Sequence, residues 1–216
     1  ALGGEKGNSP HLDSLINESL VFTQCYASGS RTDQGIVSIF SGFPAQPNNS
    51  IIRHDEKTDK LPYITKPLIV KGYNTSFFYG GELGFANMKS YLLHAGFQKL
   101  SDKGDYSGNK MNSKWGAHDA YVMQRQFDYI NKAPQPFLSA VLTLSLHEPF
   151  EIPIANHFEG NSTEIKFKNA AYYTDQCLGD YFAMIKKQPW YANTLFIFLA
   201  DHGHHYPRNT DYYSIE

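Results

Sequence analysis

Phe137-Leu138-Ser139-Ala140-Val141-Leu142-Thr143-Leu144 runs directly into Ser145-Leu146-His147-Glu148-Pro149. The octet has apolar side chains on both alternating sets of positions, so a strand built from it has no face suited to water. That pattern predicts a central strand of a parallel sheet. Thr194-Leu195-Phe196-Ile197-Phe198-Leu199-Ala200 repeats it and breaks off into Asp201-His202-Gly203-His204-His205. A third strand is expected over Leu20 to Tyr26 and a fourth over Asn74 to Tyr79, ending at Gly80-Gly81.

Between these strands the spacing is helical. Ser9-Pro10 reads as an N-cap and first-turn proline, with Leu12, Leu15 and Ile16 on one face. Ile36, Ile39 and Phe40 mark a helix that opens near Thr32 and stops at Gly42. Further helices are expected over Leu61 to Lys71, Met88 to His94, Ala120 to Asn131 and Phe167 to Lys187, with Asp119 as the cap of the third. Lys99 to Lys114 is polar and glycine-containing and reads as a long loop. Strands that alternate with helices predict an α/β layer structure, a mostly parallel central sheet with helices on both faces.

The composition agrees. Of 216 residues, 41% are hydrophobic and 19% charged, which excludes a disordered chain, and 15% are aromatic, which predicts a ring-rich core. A net charge of −2 offers no electrostatic footing for nucleic acid. No run reaches the ~20 apolar residues of a membrane span. Cys25 and Cys177 lie too far apart for a metal knuckle and, among apolar neighbours, read as buried free thiols. The chain opens on Ala1 in a glycine-rich stretch and stops at Glu216, and both ends read as cuts in a longer protein.

Ligands of open α/β sheets bind beyond the carboxyl ends of the strands. Three predicted strand ends deliver Thr32, His147 and the pair Asp201-His202 to one edge. Thr32 alone reads as a helix cap, and His147 alone as a loop histidine bonded to backbone. Asp201-His202 is different: a carboxylate and an imidazole at a strand end, followed by a glycine that allows a sharp turn, suit zinc or manganese. His204 and His205 read as solvated loop residues. Neither a P-loop nor a nucleophile elbow is present.

Pro10-His11-Leu12-Asp13, the turn holding Thr32, Ser41-Gly42-Phe43-Pro44, Phe77-Phe78-Tyr79-Gly80-Gly81, Trp115-Gly116, Ser145-Leu146-His147 and Asp201-His202-Gly203 follow in that order. The ordered set resembles the sulfatase-like branch of the alkaline phosphatase superfamily, and within it the lipoteichoic acid synthase and phosphoglycerol transferase group. The resemblance implies one sulfatase-like catalytic domain over 1–216, a fragment lacking its opening strand and its C-terminal part. It implies Thr32 as a nucleophile that takes up the head group and as a metal ligand, Asp201 and His202 as further metal ligands, and His147 as the histidine holding the phosphate or leaving group. The implied cofactor is a divalent metal, manganese first, with magnesium or zinc as alternatives. The implied substrate is a phospholipid head group or another phosphate ester. The implied place is the bacterial cell membrane, with the domain on the extracytoplasmic side and tethered by upstream helices.

Three departures bear on the substrate. The family's first acidic metal ligand lies upstream of Ala1. Ala86 and Met88 stand where the synthases carry a Trp and an Arg. Arg31-Thr32-Asp33-Gln34-Gly35 is not the sulfatase C/S-x-P-x-R turn, which disfavours sulfuric-ester hydrolysis. The competing readings are a phosphatase or phosphodiesterase on the same site, a phosphoethanolamine-transferring relative, and a catalytically silent binding domain.

Overall fold

A computed structural model describes residues 5–206. Helix α1 (Pro10–Ile16) is followed by α2 (Thr32–Ser41), α3 (Asp55–Thr58) and α4 (Thr65–Val70). Strand β1 (Asn74–Tyr79), α5 (Met88–His94), β2 (Lys99–Ser101), α6 (Asp119–Ile130), β3 (Phe137–Leu142) and α7 (Thr163–Ile185) complete the order. The three strands form one parallel sheet in the order β2-β1-β3. The α/β class with a parallel sheet is therefore the observed one.

β1 is the central strand, with Thr75, Ser76, Phe77 and Phe78 all buried. Alternation sends consecutive side chains to opposite faces. Phe77 packs with Phe40 of α2 and with Phe97, whereas Phe78 packs with Tyr129 of α6 and joins Tyr106 and Val122. Helices thus cover both faces. Ser76 of β1 and Ser139 of β3 satisfy one another: Ser76 Oγ donates to Ser139 Oγ at 2.8 Å, and the Gln126 amide reaches the same oxygen at 2.9 Å.

α7 organises the rest. Asp175 accepts from the backbone N–H groups of His11 and Leu12 at 2.9 and 2.8 Å, satisfying the open donors of the first turn of α1. Gly179 lets the helices approach, since a Cβ there would meet the His11 ring at 2.5 Å. Asp119 is fully buried and accepts from Leu144 N at 2.7 Å, Ser145 N at 3.3 Å and Thr174 Oγ1 at 2.8 Å. One carboxylate therefore ties the start of α6, the exit of β3 and the middle of α7.

Several sequence expectations are corrected. Leu20 to Tyr26 and Thr194 to Ala200 are irregular segments rather than strands, the first broken by a turn at Thr23-Gln24; among the described residues no neighbouring strand bonds to them. Leu20, Phe22, Leu195 and Ile197 are exposed in consequence. β3 is for the same reason half-buried at the sheet margin instead of central. The helix expected from Leu61 begins at Thr65. Leu61 precedes Pro62, which disfavours helical backbone, and Ile64 N bonds to Phe40 O at 2.9 Å. The expected loop of 99–114 opens with β2, whose polar residues pair along β1 in register Ser76–Lys99. The cap of α6 is His118, and Asp119 is its first helical residue. Cys25 is exposed and Cys177 buried. The two chain ends read as cuts lie outside the described residues.

Candidate active site

α2 starts at Thr32 because Arg31 has extended backbone, and it ends where Gly42 adopts a left-handed conformation with φ 62°. Its first turn leaves backbone N–H groups free to face an anion. Thr32 is half-buried at this end.

The 195–203 segment lies against the same turn. A Cβ on Gly35 would come within 2.3 Å of the Asp201 carbonyl oxygen, so only glycine allows this approach. It brings His202 Nε2 to 3.4 Å from Thr32 Oγ1 and 3.7 Å from Asp201 Oδ2. His202 Nδ1 lies 2.7 Å from the Gly203 carbonyl oxygen. A carbonyl only accepts, so Nδ1 carries the hydrogen in the neutral ring and the Nε2 lone pair faces the threonine hydroxyl. Thr32 then donates to His202.

Hydroxyl, carboxylate and imidazole thus converge at one corner, with the Asp201 and His202 side chains still about a quarter exposed, at 24% and 26%. These donors fit a divalent cation in chemistry, with the imidazole in the tautomer a ligand requires. They supply one carboxylate and one imidazole, and among the described residues no group of three or more His, Cys, Asp or Glu side chains is placed to hold a metal.

His147 stands apart from this corner in a turn after β3, where His147 N bonds to Leu144 O at 3.0 Å and Phe150 N to His147 O at 2.9 Å. Its exposed imidazole lies 4.6 Å from the Trp115 ring, at an interplanar angle of 53°. A small cleft beside it is lined by Ser113, Trp115, His118, Ser145 and Glu151 among others. His204 links the two places: burial and then the charge of His205 hold its imidazole below the usual range, with His202 and His147 also within electrostatic reach. It is exposed in its loop, as expected, and is also stacked on Phe167 at 4.7 Å.

Sequence reasoning missed three contributors. Gly35 is invisible without knowing what crosses α2. Trp115 reads as part of a helix lead-in, and only the tertiary contact joins it to His147. Tyr79 could have been found by counting the last residue of β1 with the strand end. Burial and then the carboxylates of Asp201 and Asp119 push its phenol up to about 12, so it remains a proton-bearing donor at neutral pH.

The family model described as Sulfatase matches residues 1–215. Lipoteichoic acid synthase 2 of Bacillus subtilis (strain 168) is 25% identical over 208 residues, covering 90% of this chain and 31% of that protein. Phosphoglycerol transferase I of Xanthomonas campestris pv. campestris (strain B100) is 26% identical over 143 residues, covering 61% of this chain and 20% of that protein. The chain therefore spans a third or less of the length of these two relatives. A solved protein of the alkaline phosphatase superfamily from Vibrio parahaemolyticus superposes with a TM-score of 0.78 at 33% identity, covering 88% of this chain and 47% of that one.

Proposed function

The chain belongs to the sulfatase family, and on that premise we propose that it carries most of the catalytic machinery of a metal-dependent transferase. The reaction moves a phosphoglycerol-type head group from a phospholipid to an acceptor hydroxyl. The observation that carries this reading is the Thr32 hydroxyl at the N-terminus of α2, 3.4 Å from an imidazole nitrogen whose lone pair faces it. Names of relatives that include phosphoglycerol transferase and lipoteichoic acid synthase support the choice of head group.

The chemistry runs in two displacements. Thr32 gives its hydroxyl proton to solvent as Oγ1 attacks the phosphorus of the donor phosphodiester; the Oγ1–P bond forms as the bond to the lipid oxygen breaks. The free N–H groups at the start of α2 stabilise the phosphoryl oxygens during attack. His147 gives a proton to the departing lipid oxygen and accepts one back from the acceptor hydroxyl, which then attacks the threonyl phosphodiester; the Oγ1–P bond breaks and Thr32 regains its proton from solvent. A divalent cation held by Thr32, Asp201 and His202, manganese or else magnesium or zinc, would acidify the threonine hydroxyl and neutralise phosphoryl charge. The domain acts, on this reading, at the extracytoplasmic face of a bacterial membrane. Among the described residues no helix is long and apolar enough to cross a bilayer.

Intact-mass measurement tests the proposal. The protein is incubated with Mn²⁺ and phosphatidylglycerol or phosphatidylethanolamine, beside its Thr32→Ala variant. The expected result is a head-group phosphate adduct on the parent and none on the variant, with the mass naming the group. An adduct of equal yield on Thr32→Ala overturns the nucleophile. Metal bound with no adduct and no turnover of either lipid overturns the transferase reading. Release of free head-group phosphate without any acceptor product would instead identify a phosphodiesterase.

A further inference from the structure

We propose that Trp115 is a positioning residue for His147, clamping the turn that carries it and fixing the face its imidazole shows to substrate. The inference rests on the role given to His147 above. The tryptophan makes two contacts with one short turn. Its indole N–H donates to the carbonyl of Glu148, and its ring lies 4.6 Å from the His147 imidazole. Among the described residues the imidazole itself makes no hydrogen bond, so the indole face is what restricts its rotation.

The clamp is itself held firmly. Gly116 has φ 149°, and a Cβ there would come within 2.0 Å of the Gly80 carbonyl oxygen, so the loop presses backbone to backbone on the exit of β1. Ala117 N bonds to that same oxygen at 3.0 Å. Ser113 Oγ accepts from Gly116 N at 3.1 Å and donates to Gly116 O at 2.8 Å, and Lys114 N donates to Glu151 at 2.6 Å. The Lys114 ammonium lies 5.0 Å over the indole. The exit of β1 and the exit of β3 are thereby coupled through one side chain.

A tryptophan present only for packing buries itself and leaves its N–H to any nearby acceptor. Trp115 instead stays 37% exposed and spends its single donor on the residue after His147. In a transfer that needs a proton delivered to a leaving oxygen, a freely rotating histidine loses much of the benefit of proximity.

The test combines ring-proton NMR with kinetics on the intact protein. His147 signals are assigned by their loss in His147→Gln. In the parent, the ring current of Trp115 shifts them from free-histidine positions; Trp115→Leu is expected to return them, while Trp115→Phe keeps part of the shift. Turnover of phosphatidylglycerol is expected to fall about 10-fold in kcat for Trp115→Leu, with less change in KM, and to be partly rescued in Trp115→Phe. In the His147→Gln background, Trp115→Leu is expected to cost nothing further. His147 signals unmoved by Trp115→Leu overturn the clamp, whether or not any lipid is turned over. Additive losses in the double variant overturn its catalytic role. If the parent turns over no lipid, the proposed function fails, and the NMR shift alone decides whether Trp115 holds His147.

Discussion

β1 and the segment 194–200 are both aromatic-centred runs that end at glycine-containing turns, yet one is a strand and the other is not. In β1 four consecutive residues are buried, and parallel neighbours bond to it on both sides. In 194–200, Leu195 is 84% and Ile197 71% exposed, and the run touches the fold mainly through Phe196 and Phe198 against Phe182 of α7. A strand is completed by a hydrogen-bonding neighbour, so hydrophobic composition alone does not make one. The second lesson concerns division of labour. β1 sustains the core, whereas 201–203 is seated on α2 by the close approach at Gly35 and the hydrogen bond between Thr32 and His202.

The comparison can be attacked at four points. Phe78→Ala should be the most damaging, removing a fully buried ring between β1 and α6 and costing about 3–5 kcal/mol in a denaturant titration. A loss below about 1 kcal/mol would show that β1 is no more essential than the exposed run. Gly35→Ala should leave the core intact but push 201–203 off α2, lowering adduct formation on Thr32 by on the order of 10²-fold. Unchanged adduct formation would mean that the segment is held by something other than this contact.

The third point is pH. Burial lowers the affinity of His118 for a proton, and the charges of Asp119 and Glu151 oppose this only in part. Because its folded pKa lies below the ordinary 6.5, the unfolded chain takes up the proton first as pH falls. Stability contributed by the neutral ring is complete above that value and declines below it until the folded pKa is passed. His118→Gln should flatten this part of the stability–pH curve; an unchanged slope would assign it to other groups. Leu195→Ser should have the smallest effect, within about 0.5 kcal/mol for the 216-residue chain, because its side chain already meets water. A loss of about 2 kcal/mol would break the comparison, since it would mean the run has found a neighbour.

Much of the architecture was legible because local rules were strong. Pro10 and Gly42 punctuate helices where expected, and the α/β alternation follows from periodicity alone. The misplaced start of α4 and the unnoticed β2 have local sequences that compete with tertiary bonds, Ile64 to Phe40 and Lys99 along Ser76. In the candidate site, Asp201-His202-Gly203 stood out because carboxylate, imidazole and glycine seldom follow an apolar run by accident. Thr32 on its own looked like a cap. Its partner arrives from 170 residues away.

The sequence by itself determined most of the helices, the runs that form β1 and β3 and the residue types that the candidate site gathers, since these depend on spacing and side-chain chemistry within a few turns of chain. Only the tertiary structure decided which of them meet. It seated Asp201 on Gly35, turned the His202 lone pair towards Thr32, placed Trp115 against His147 and left two apolar runs without sheet neighbours among the described residues. The physical reason is that close approach of backbones and the sharing of hydrogen bonds are properties of pairs distant in sequence, and neither partner carries a local mark of the other.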